Sequence, residues 1–193
     1  MATAYTSRSL IPSLLPAEGA TRLAGQVFLA ILGSVALAVA AHVTVPLYPV
    51  NATLQTLVLF ALAAAYGRNL AVATLLLYLA EGAMGAPVFT SGAGIGYLLA
   101  GPTTGYLAGF VVAAAIVGHA ADAGDDRNAF RLFGYMLVGE IVILGLGAAW
   151  LAFLFGADKA LAWGVGPFIV TDLIKIALAS CLVPAIWALL RRK

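Results

Sequence analysis

The chain has 193 residues, of which 63% are hydrophobic and 9% are charged, and its formal net charge is +2. Its mean hydropathy of +1.05 excludes an ordinary soluble domain of this size. The small charge is scattered along the chain, which excludes a nucleic-acid partner. The long apolar runs do not alternate as the strands of a membrane barrel do. They predict an all-α integral membrane protein surrounded by membrane lipid.

The predicted elements begin with a polar tail over residues 1–22, and a membrane domain follows over residues 23–193. The first span runs from Leu23 to about Val45. It is longer than the apolar run of about 7–15 residues in a cleaved signal peptide, so we expect it to be retained. Five further spans are predicted at about 53–66, 69–80, 106–120, 132–155 and 168–190. The second and third are short for a full crossing, which needs about 20 residues.

A connection rich in glycine and proline, "EGAMGAPVFTSGAGIGYLLAGPTTG", separates the third span from the fourth. Non-helical backbone at membrane depth is tolerated only where it is buried in protein or lines a cavity. We therefore expect this connection to fold back over a pocket as a lid.

The basic residues predict the orientation of the membrane domain. Six spans place both termini on one side, and only Lys159 falls in a loop of the opposite side. An excess of Lys and Arg marks the cytoplasmic side, so both termini are predicted to be cytoplasmic. The basic residues on the terminal side are Arg8, Arg22, Arg68, Arg127, Arg131, Arg191, Arg192 and Lys193.

Asp172 and Lys175 lie three residues apart within the last span. Residues with this spacing are neighbours on a helix surface. At a rise of about 1.5 Å per residue they lie roughly 9 and 13 Å from the outer end of the helix. They could simply neutralise each other, but a pair closed on itself brings little benefit at a high desolvation cost. Because ionisable residues in a membrane helix usually mark a functional site, we predict that the pair binds a ligand.

Other polar residues fall at comparable depth, and each has two interpretations. Gln55 and Thr56 could contact a ligand or bond across helices. Tyr97 and Tyr106 could line the pocket or belong to the interfacial aromatic belt. Glu140, in the middle of span five, could pair with Lys175 or mark a proton path, and the sequence does not assign it a role.

Span one carries a small-residue row, Ala30, Ser34 and Ala38, at helical spacing. Small residues let helices approach closely, either within the protein or against another membrane subunit. Spacing alone favours internal packing.

No catalytic chemistry is predicted. A Walker phosphate loop is missing, so this chain is not expected to hydrolyse ATP. His42 and His119 fall at opposite membrane faces and lack the spacing of zinc ligands. A serine nucleophile with its base is not recognisable either. We expect no enzyme activity, no metal and no cofactor.

Three segments, "VPLYPVNATLQTL", "GAPVFTSGAGIGYLLAGPTTGYLAGF" and "GVGPFIVTDLIKIALA", resemble the hallmark segments of the BioY family in order and spacing. The resemblance covers residues 23–190. That family comprises the biotin-binding S components of energy-coupling factor (ECF) transporters. It implies a six-helix S-component fold in the cytoplasmic membrane and high-affinity uptake of biotin from outside. The implied partners are a transmembrane coupling protein and two cytoplasmic ATPase subunits.

The resemblance also implies roles for individual residues. The small-residue row of span one would contact the coupling protein. Asp172 would accept from the ureido N–H groups of biotin, and Lys175 would bond either the ureido oxygen or the carboxylate. Two alternatives stay open: an S component for another vitamin, and a self-sufficient transporter coupled to protons through Glu140. The predicted ligand-binding residues are Asp172, Lys175, Gln55, Thr56, Phe89, Ser91, Gly92, Tyr97 and Tyr106.

Overall fold

The computed structural model describes residues 9–12 and 19–190, without the side chain of Leu190. Most of the predicted polar tail lies outside these ranges, as do four of the basic residues used for orientation: Arg8, Arg191, Arg192 and Lys193. The described chain is all-helical apart from one small hairpin, which confirms the predicted all-α class. The helices are α1 Ala20–His42, α2 Gln55–Tyr66, α3 Arg68–Ala83, α4 Gly94–Ala100, α5 Thr104–Ala123, α6 Ala129–Phe155, α7 Ala157–Gly164 and α8 Ile169–Leu190.

Each of the six predicted spans falls on a helix. Four of these helices, α1, α5, α6 and α8, are long and apolar enough to cross a membrane, so the chain is a multi-pass membrane protein. Helices α2, with 12 residues, and α3, with 16 residues, are shorter than the usual crossing, as the sequence indicated. The structure adds α4, α7 and the short strands β1 Thr44–Val45 and β2 Ala52–Thr53, which the sequence did not predict. The strands pair antiparallel, with Thr44 opposite Thr53.

The outer surface of α1 is apolar. In a bilayer these side chains contact acyl chains, so their exposure carries none of the cost it would have in water. The exposed large apolar residues of α1 are Leu23, Val27, Phe28, Ile31, Leu32, Val35 and Val39.

The opposite face of α1, with the small-residue row, packs inward. Ser34 is fully buried and its hydroxyl donates to the Glu81 carboxylate on α3. Ala30 is also buried, and Ala38 is half-buried. The row therefore serves internal packing, the role that spacing alone favoured. A docking role for the same residues stays a prediction that this structure does not test.

Helices α5 and α6 approach each other closely through glycine. A Cβ atom added to Gly109 would lie 2.7 Å from the Cα of Ile143 on α6. One added to Gly105 would lie 2.3 Å from the Leu146 carbonyl oxygen. Neither distance allows a real side chain, so only glycine lets the two backbones pack this tightly.

The glycine-rich connection at 81–105 is ordered by contacts with its neighbours. It contains α4, and the indole nitrogen of Trp150 on α6 donates to the Gly101 carbonyl at 2.8 Å. The Phe89 ring is 4% exposed and meets Tyr78 of α3 edge-on, with ring centroids 5.4 Å apart. The predicted lid is thus a packed segment held between α3 and α6.

A polar cluster ties the last turns of α8 to the 3₁₀ turn Asp125–Arg127. The Trp187 indole donates to Asp126 at 2.6 Å, and the Arg127 guanidinium lies 4.7 Å from the centroid of the same indole. Asp126 is fully buried, and its second carboxyl oxygen lacks a hydrogen-bond partner among the described residues. Burial raises the pKa of this carboxyl, against the opposing effects of the Trp187 hydrogen bond and the Arg127 charge.

Candidate ligand-binding site

A cavity lies among α2, α3, α5, α6, α8 and the hairpin, beneath part of the 81–105 connection. The space between its atoms, including the part open to solvent, is about 550 Å³. Its polar lining is Asn51, Thr53, Gln55, Thr56, Thr90, Thr103, Glu140, Asp172 and Lys175. Its aromatic and aliphatic lining is Val50, Tyr78, Phe89, Tyr106, Leu107, Phe110, Ile143, Leu144 and Phe168.

The Asp172–Lys175 pair belongs to this cavity and is not closed on itself. The Lys175 ammonium lies 2.6 Å from Asp172 Oδ1 and 2.7 Å from the Thr53 carbonyl oxygen. The Thr56 hydroxyl donates to the same Asp172 Oδ1 at 3.2 Å. The Lys175 side chain is 12% exposed and the Asp172 side chain is 3% exposed. An ammonium has three donors, so one N–H of Lys175 has no partner among the described residues. The Asp172 carboxyl also forms a side-chain hydrogen bond with the buried Glu140 carboxyl on α6.

The fold explains where the pair sits. Asp172 lies in the first turn of α8, and its amide donates to the Phe168 carbonyl at 2.8 Å. A negative charge near a helix N-terminus is stabilised by the helix dipole, by about 0.3–1 kcal/mol. One turn further on, the longer Lys175 side chain reaches back to the end of β2 at Thr53. The geometry therefore couples α8 to the hairpin that precedes α2.

Gln55 and Thr56 both line the cavity, and each also bonds across helices. The Gln55 side-chain amide donates to the Tyr78 hydroxyl at 2.9 Å, and Tyr78 in turn donates to the Val88 carbonyl at 2.8 Å. This chain of hydrogen bonds fixes the 81–105 connection against α2 and α3. Thr56 instead orients the Asp172 carboxylate. The two interpretations of these residues are thus compatible.

Aromatic rings form the less polar part of the wall. Tyr106 and Phe168 lie with ring centroids 6.1 Å apart. The Tyr106 hydroxyl donates to the Gly164 carbonyl at 2.6 Å, which anchors α5 to the end of α7 and leaves the ring facing the cavity. Phe89 approaches from the 81–105 connection. Such a wall suits a flat or aliphatic part of a small molecule.

The structure brings six of the nine predicted ligand-binding residues to the cavity wall and leaves three behind it. Tyr97 stacks on Phe89 at 5.9 Å and accepts a hydrogen bond from Thr103, so it supports the wall from outside. Gly92 packs against the Tyr97 ring, and Ser91 accepts from Asn51 at 3.2 Å. The six lining residues are Asp172, Lys175, Gln55, Thr56, Phe89 and Tyr106.

Several lining residues were not assigned by the sequence, and three of them illustrate why. Thr53 acts through its backbone carbonyl, which no residue pattern signals. Tyr78 looks like any interfacial tyrosine until its bonds to Gln55 and Val88 are seen. Glu140 was noted as an acid in span five, but only the packing of α6 shows that it borders the cavity.

The chain matches known proteins over most of its length. A sequence profile of the BioY family matches residues 12–192. A biotin transporter BioY of Thermotoga maritima is 35% identical over 143 residues, which are 74% of this chain and 83% of that protein. A probable biotin transporter BioY of Pyrococcus horikoshii is 38% identical over 142 residues, 73% of this chain and 83% of that protein.

A solved structure shares the fold. It is the S-component for biotin from an ECF-type ABC transporter, and it superposes with a TM-score of 0.78. The superposition covers 92% of this chain and 96% of that one at 22% sequence identity. At this identity the likeness establishes the S-component fold.

Proposed function

The chain belongs to the BioY family, and we propose that it captures biotin with high affinity as the S component of an ECF-type transporter. The observation that carries this proposal is the cavity in which the Asp172–Lys175 pair faces an aromatic and aliphatic wall. Biotin has both halves of the matching chemistry, a ureido ring with two N–H donors and an oxygen, and an apolar thiophane and valeryl chain. The protein is a transporter subunit and not an enzyme.

The hydrogen-bonding groups of the pair support this assignment. The third N–H of Lys175 is available for a ligand oxygen, and the Asp172 carboxyl, which lines the cavity, can accept a ureido N–H. A bond from the third N–H of Lys175 to the ligand adds to its bonds with Thr53 and Asp172 and does not replace them. Tyr106, Phe168 and Phe89 would cover the apolar part of biotin.

The proposed orientation in the membrane is the one that the apolar spans and basic residues of the sequence predict. All six spans, including the short α2 and α3, cross the cytoplasmic membrane, and both termini, with the tail at 1–22, are cytoplasmic. The cavity then opens outward, where the vitamin is captured. Energy comes from a separate transmembrane coupling protein and two cytoplasmic ATPase subunits, because this chain lacks a phosphate loop.

Ligand titration of the purified protein tests the proposal. Biotin should bind, whereas thiamine and riboflavin, which lack its ureido ring, should not. Asp172→Asn should weaken biotin binding and leave a folded protein, because Lys175 keeps the Thr53 carbonyl as a partner. The matched control is Asp158→Asn on α7, an exposed acid outside the cavity, which should bind like the unmodified protein. Unchanged affinity in Asp172→Asn would sink the assignment.

A self-sufficient proton-coupled transporter is the second candidate, because Glu140 is a buried acid bordering the cavity. Uptake by cells distinguishes the two. The S-component proposal requires that biotin uptake stop when the ATPase subunits are removed. Proton coupling requires that uptake persist without them and collapse with the proton gradient.

A further inference from the structure

Two grooves flank the beginning of α3, one between α3 and α5, here the α5 groove, and one between α3 and α1, here the α1 groove. Neither shares a residue with the lining of the cavity. Both include Asn69 and Ala73, so the two grooves meet along one line of α3. Ala73 is exposed and carries only a methyl group, so the ridge between them is low.

Both grooves open toward the surroundings of the protein. Because the chain is a multi-pass membrane protein, their apolar walls contact lipid chains and not water. The α5 groove follows α3 from Arg68 to Leu76, about 12 Å, and the α1 groove follows α1 from Leu23 to Ala30, about 10 Å. One hydrocarbon leaflet is about 15 Å deep, so each groove follows most of the depth of one leaflet. The exposed large apolar residues of the two grooves are Leu76, Val112, Leu23 and Val27.

A basic side chain lies at the end where the two grooves meet. Arg68 lines the α5 groove beside Asn69, and both residues are exposed. The Arg68 guanidinium has neither an ion pair nor a hydrogen bond among the described residues, whereas Arg131 pairs with Asp125 at 2.9 Å. Asp122 is also at this end, where its carboxylate accepts from the Arg68 backbone amide at 3.0 Å. A cation at a helix N-terminus is unfavourable, and a bound anion would offset that cost.

We propose that one anionic phospholipid occupies both grooves, with its phosphate at Arg68 and Asn69 and one acyl chain on each side of Ala73. The guanidinium fork matches the geometry of a phosphate group, and the Asn69 amide adds donors. Two grooves that join at one basic end suit a ligand with two apolar chains and one charged head. The site faces the leaflet on the side where α1 begins. It is separate from the proposed biotin cavity and goes beyond the proposed function.

Lipid titration of the purified protein in detergent tests the head-group assignment. Phosphatidylglycerol should raise the unfolding temperature more than phosphatidylcholine with the same acyl chains, and it should stay bound in native mass spectrometry. Arg68→Gln should lower the affinity for phosphatidylglycerol roughly 5-fold, the contribution of one arginine to attracting an anionic lipid. The control is Arg131→Gln, an exposed arginine already bonded to Asp125 and outside both grooves, which should keep the preference.

A second variant tests the acyl-chain assignment. Ala73→Trp places a bulky side chain on the line that the two grooves share, and it should lose the retained phosphatidylglycerol. Ala108→Trp changes another exposed alanine, on α5 outside both grooves, and it should retain the lipid. Inorganic phosphate should not reproduce the stabilisation, because it lacks the chains that fill the grooves.

Several outcomes would overturn the proposal. Equal binding of the two lipids by the unmodified protein would do so, as would an undiminished preference for phosphatidylglycerol in Arg68→Gln. Equal stabilisation by inorganic phosphate would indicate an anion site without acyl chains. A protein that retains no phospholipid, yet loses uptake in Ala73→Trp, would assign the grooves to a partner subunit. Unfolding without added lipid establishes that each variant is folded, and Arg68→Gln alone decides the matter if Ala73→Trp does not fold.

Discussion

Lys175 Nζ lies 2.7 Å from the carbonyl oxygen of Thr53, 122 positions earlier in the chain. This contact joins the last helix to the end of the hairpin, and the same ammonium holds Asp172 at 2.6 Å. Lys175 is therefore both a structural link and a candidate ligand-binding residue. Replacing Lys175 alone, and then Lys175 together with Asp172, can separate the two roles. Asp172 is the more deeply buried of the pair, so its charge is costly once the ammonium is removed.

Lys175→Met should destabilise the protein strongly. It leaves the Asp172 carboxyl, 3% exposed, without its cationic partner. Removing one member of a buried pair typically costs about 3–5 kcal/mol of unfolding free energy. The double variant Asp172→Asn, Lys175→Met removes the stranded charge and should recover most of that loss, as measured by thermal unfolding in detergent.

The same two variants report on binding. Neither should bind biotin, since both lack the ammonium, even though the double variant is stable. Equal unfolding temperatures for the single and double variants would contradict the stranded-charge argument. Full biotin affinity in the double variant would show that the pair is purely structural.

Gly109→Ala should weaken both stability and ligand binding. Its Cβ would lie 2.7 Å from the Cα of Ile143, so the α5 and α6 backbones must separate, and Ile143 lines the cavity. Overpacking of this kind costs about 1–3 kcal/mol. Gly145→Ala is the matched control, because its Cβ meets nothing within 4 Å and alanine favours a helix interior by about 0.5–1 kcal/mol. Thermal unfolding and biotin titration measure both effects, and similar behaviour of the two variants would refute the close-packing explanation.

Sequence patterns anticipated the helices well because each span is a continuous apolar run with clear interruptions. They also located Asp172 and Lys175, since charges in such a run are conspicuous. They could not supply the hydrogen bond to the Thr53 backbone, because a carbonyl is present at every residue. Tyr97 was expected at the pocket, but its position behind Phe89 depends on how the 81–105 connection packs, a tertiary property.

The remaining site residues illustrate the same limit. Glu140 was visible as an acid in an apolar span, yet its direction depends on the approach of α5 and α6. Helix α7 was missed because "GADKALAWGVG" is short and flanked by glycine, which is typical of a loop. Local signals thus identified unusual residues, whereas the packing of helices decided which of them meet.

The stability of the polar cluster formed by Asp126, Arg127 and Trp187 should depend on pH through Asp126. Burial raises the pKa of this carboxyl in the folded protein above its ordinary value of 3.8. The folded state therefore binds the proton more tightly than the unfolded state does. The contribution of Asp126 to stability is fully present below pH 3.8 and is lost as the pH rises through the folded pKa.

Asp126→Asn isolates this effect, because asparagine does not titrate and retains an oxygen for the Trp187 indole. Nearby Asp122 and Arg127 are present in both proteins. The unfolding temperature of the unmodified protein, relative to Asp126→Asn, should fall as the pH is raised from about 4 to 7. A difference that is constant across this range would show that Asp126 titrates alike in the folded and unfolded chains.

Ser34→Leu should destabilise the isolated protein, because Ser34 is fully buried and donates to the Glu81 carboxylate on α3. A leucine there overpacks the contact between α1 and α3 and leaves Glu81 without this donor, at a cost of about 1–3 kcal/mol. Val35→Leu, next along the helix but 52% exposed toward lipid, should change the unfolding temperature little. Both variants are compared as purified proteins, without any partner subunit. A Ser34→Leu protein that unfolds like the unmodified one and binds biotin normally, yet fails in uptake, would instead assign the small-residue row to docking.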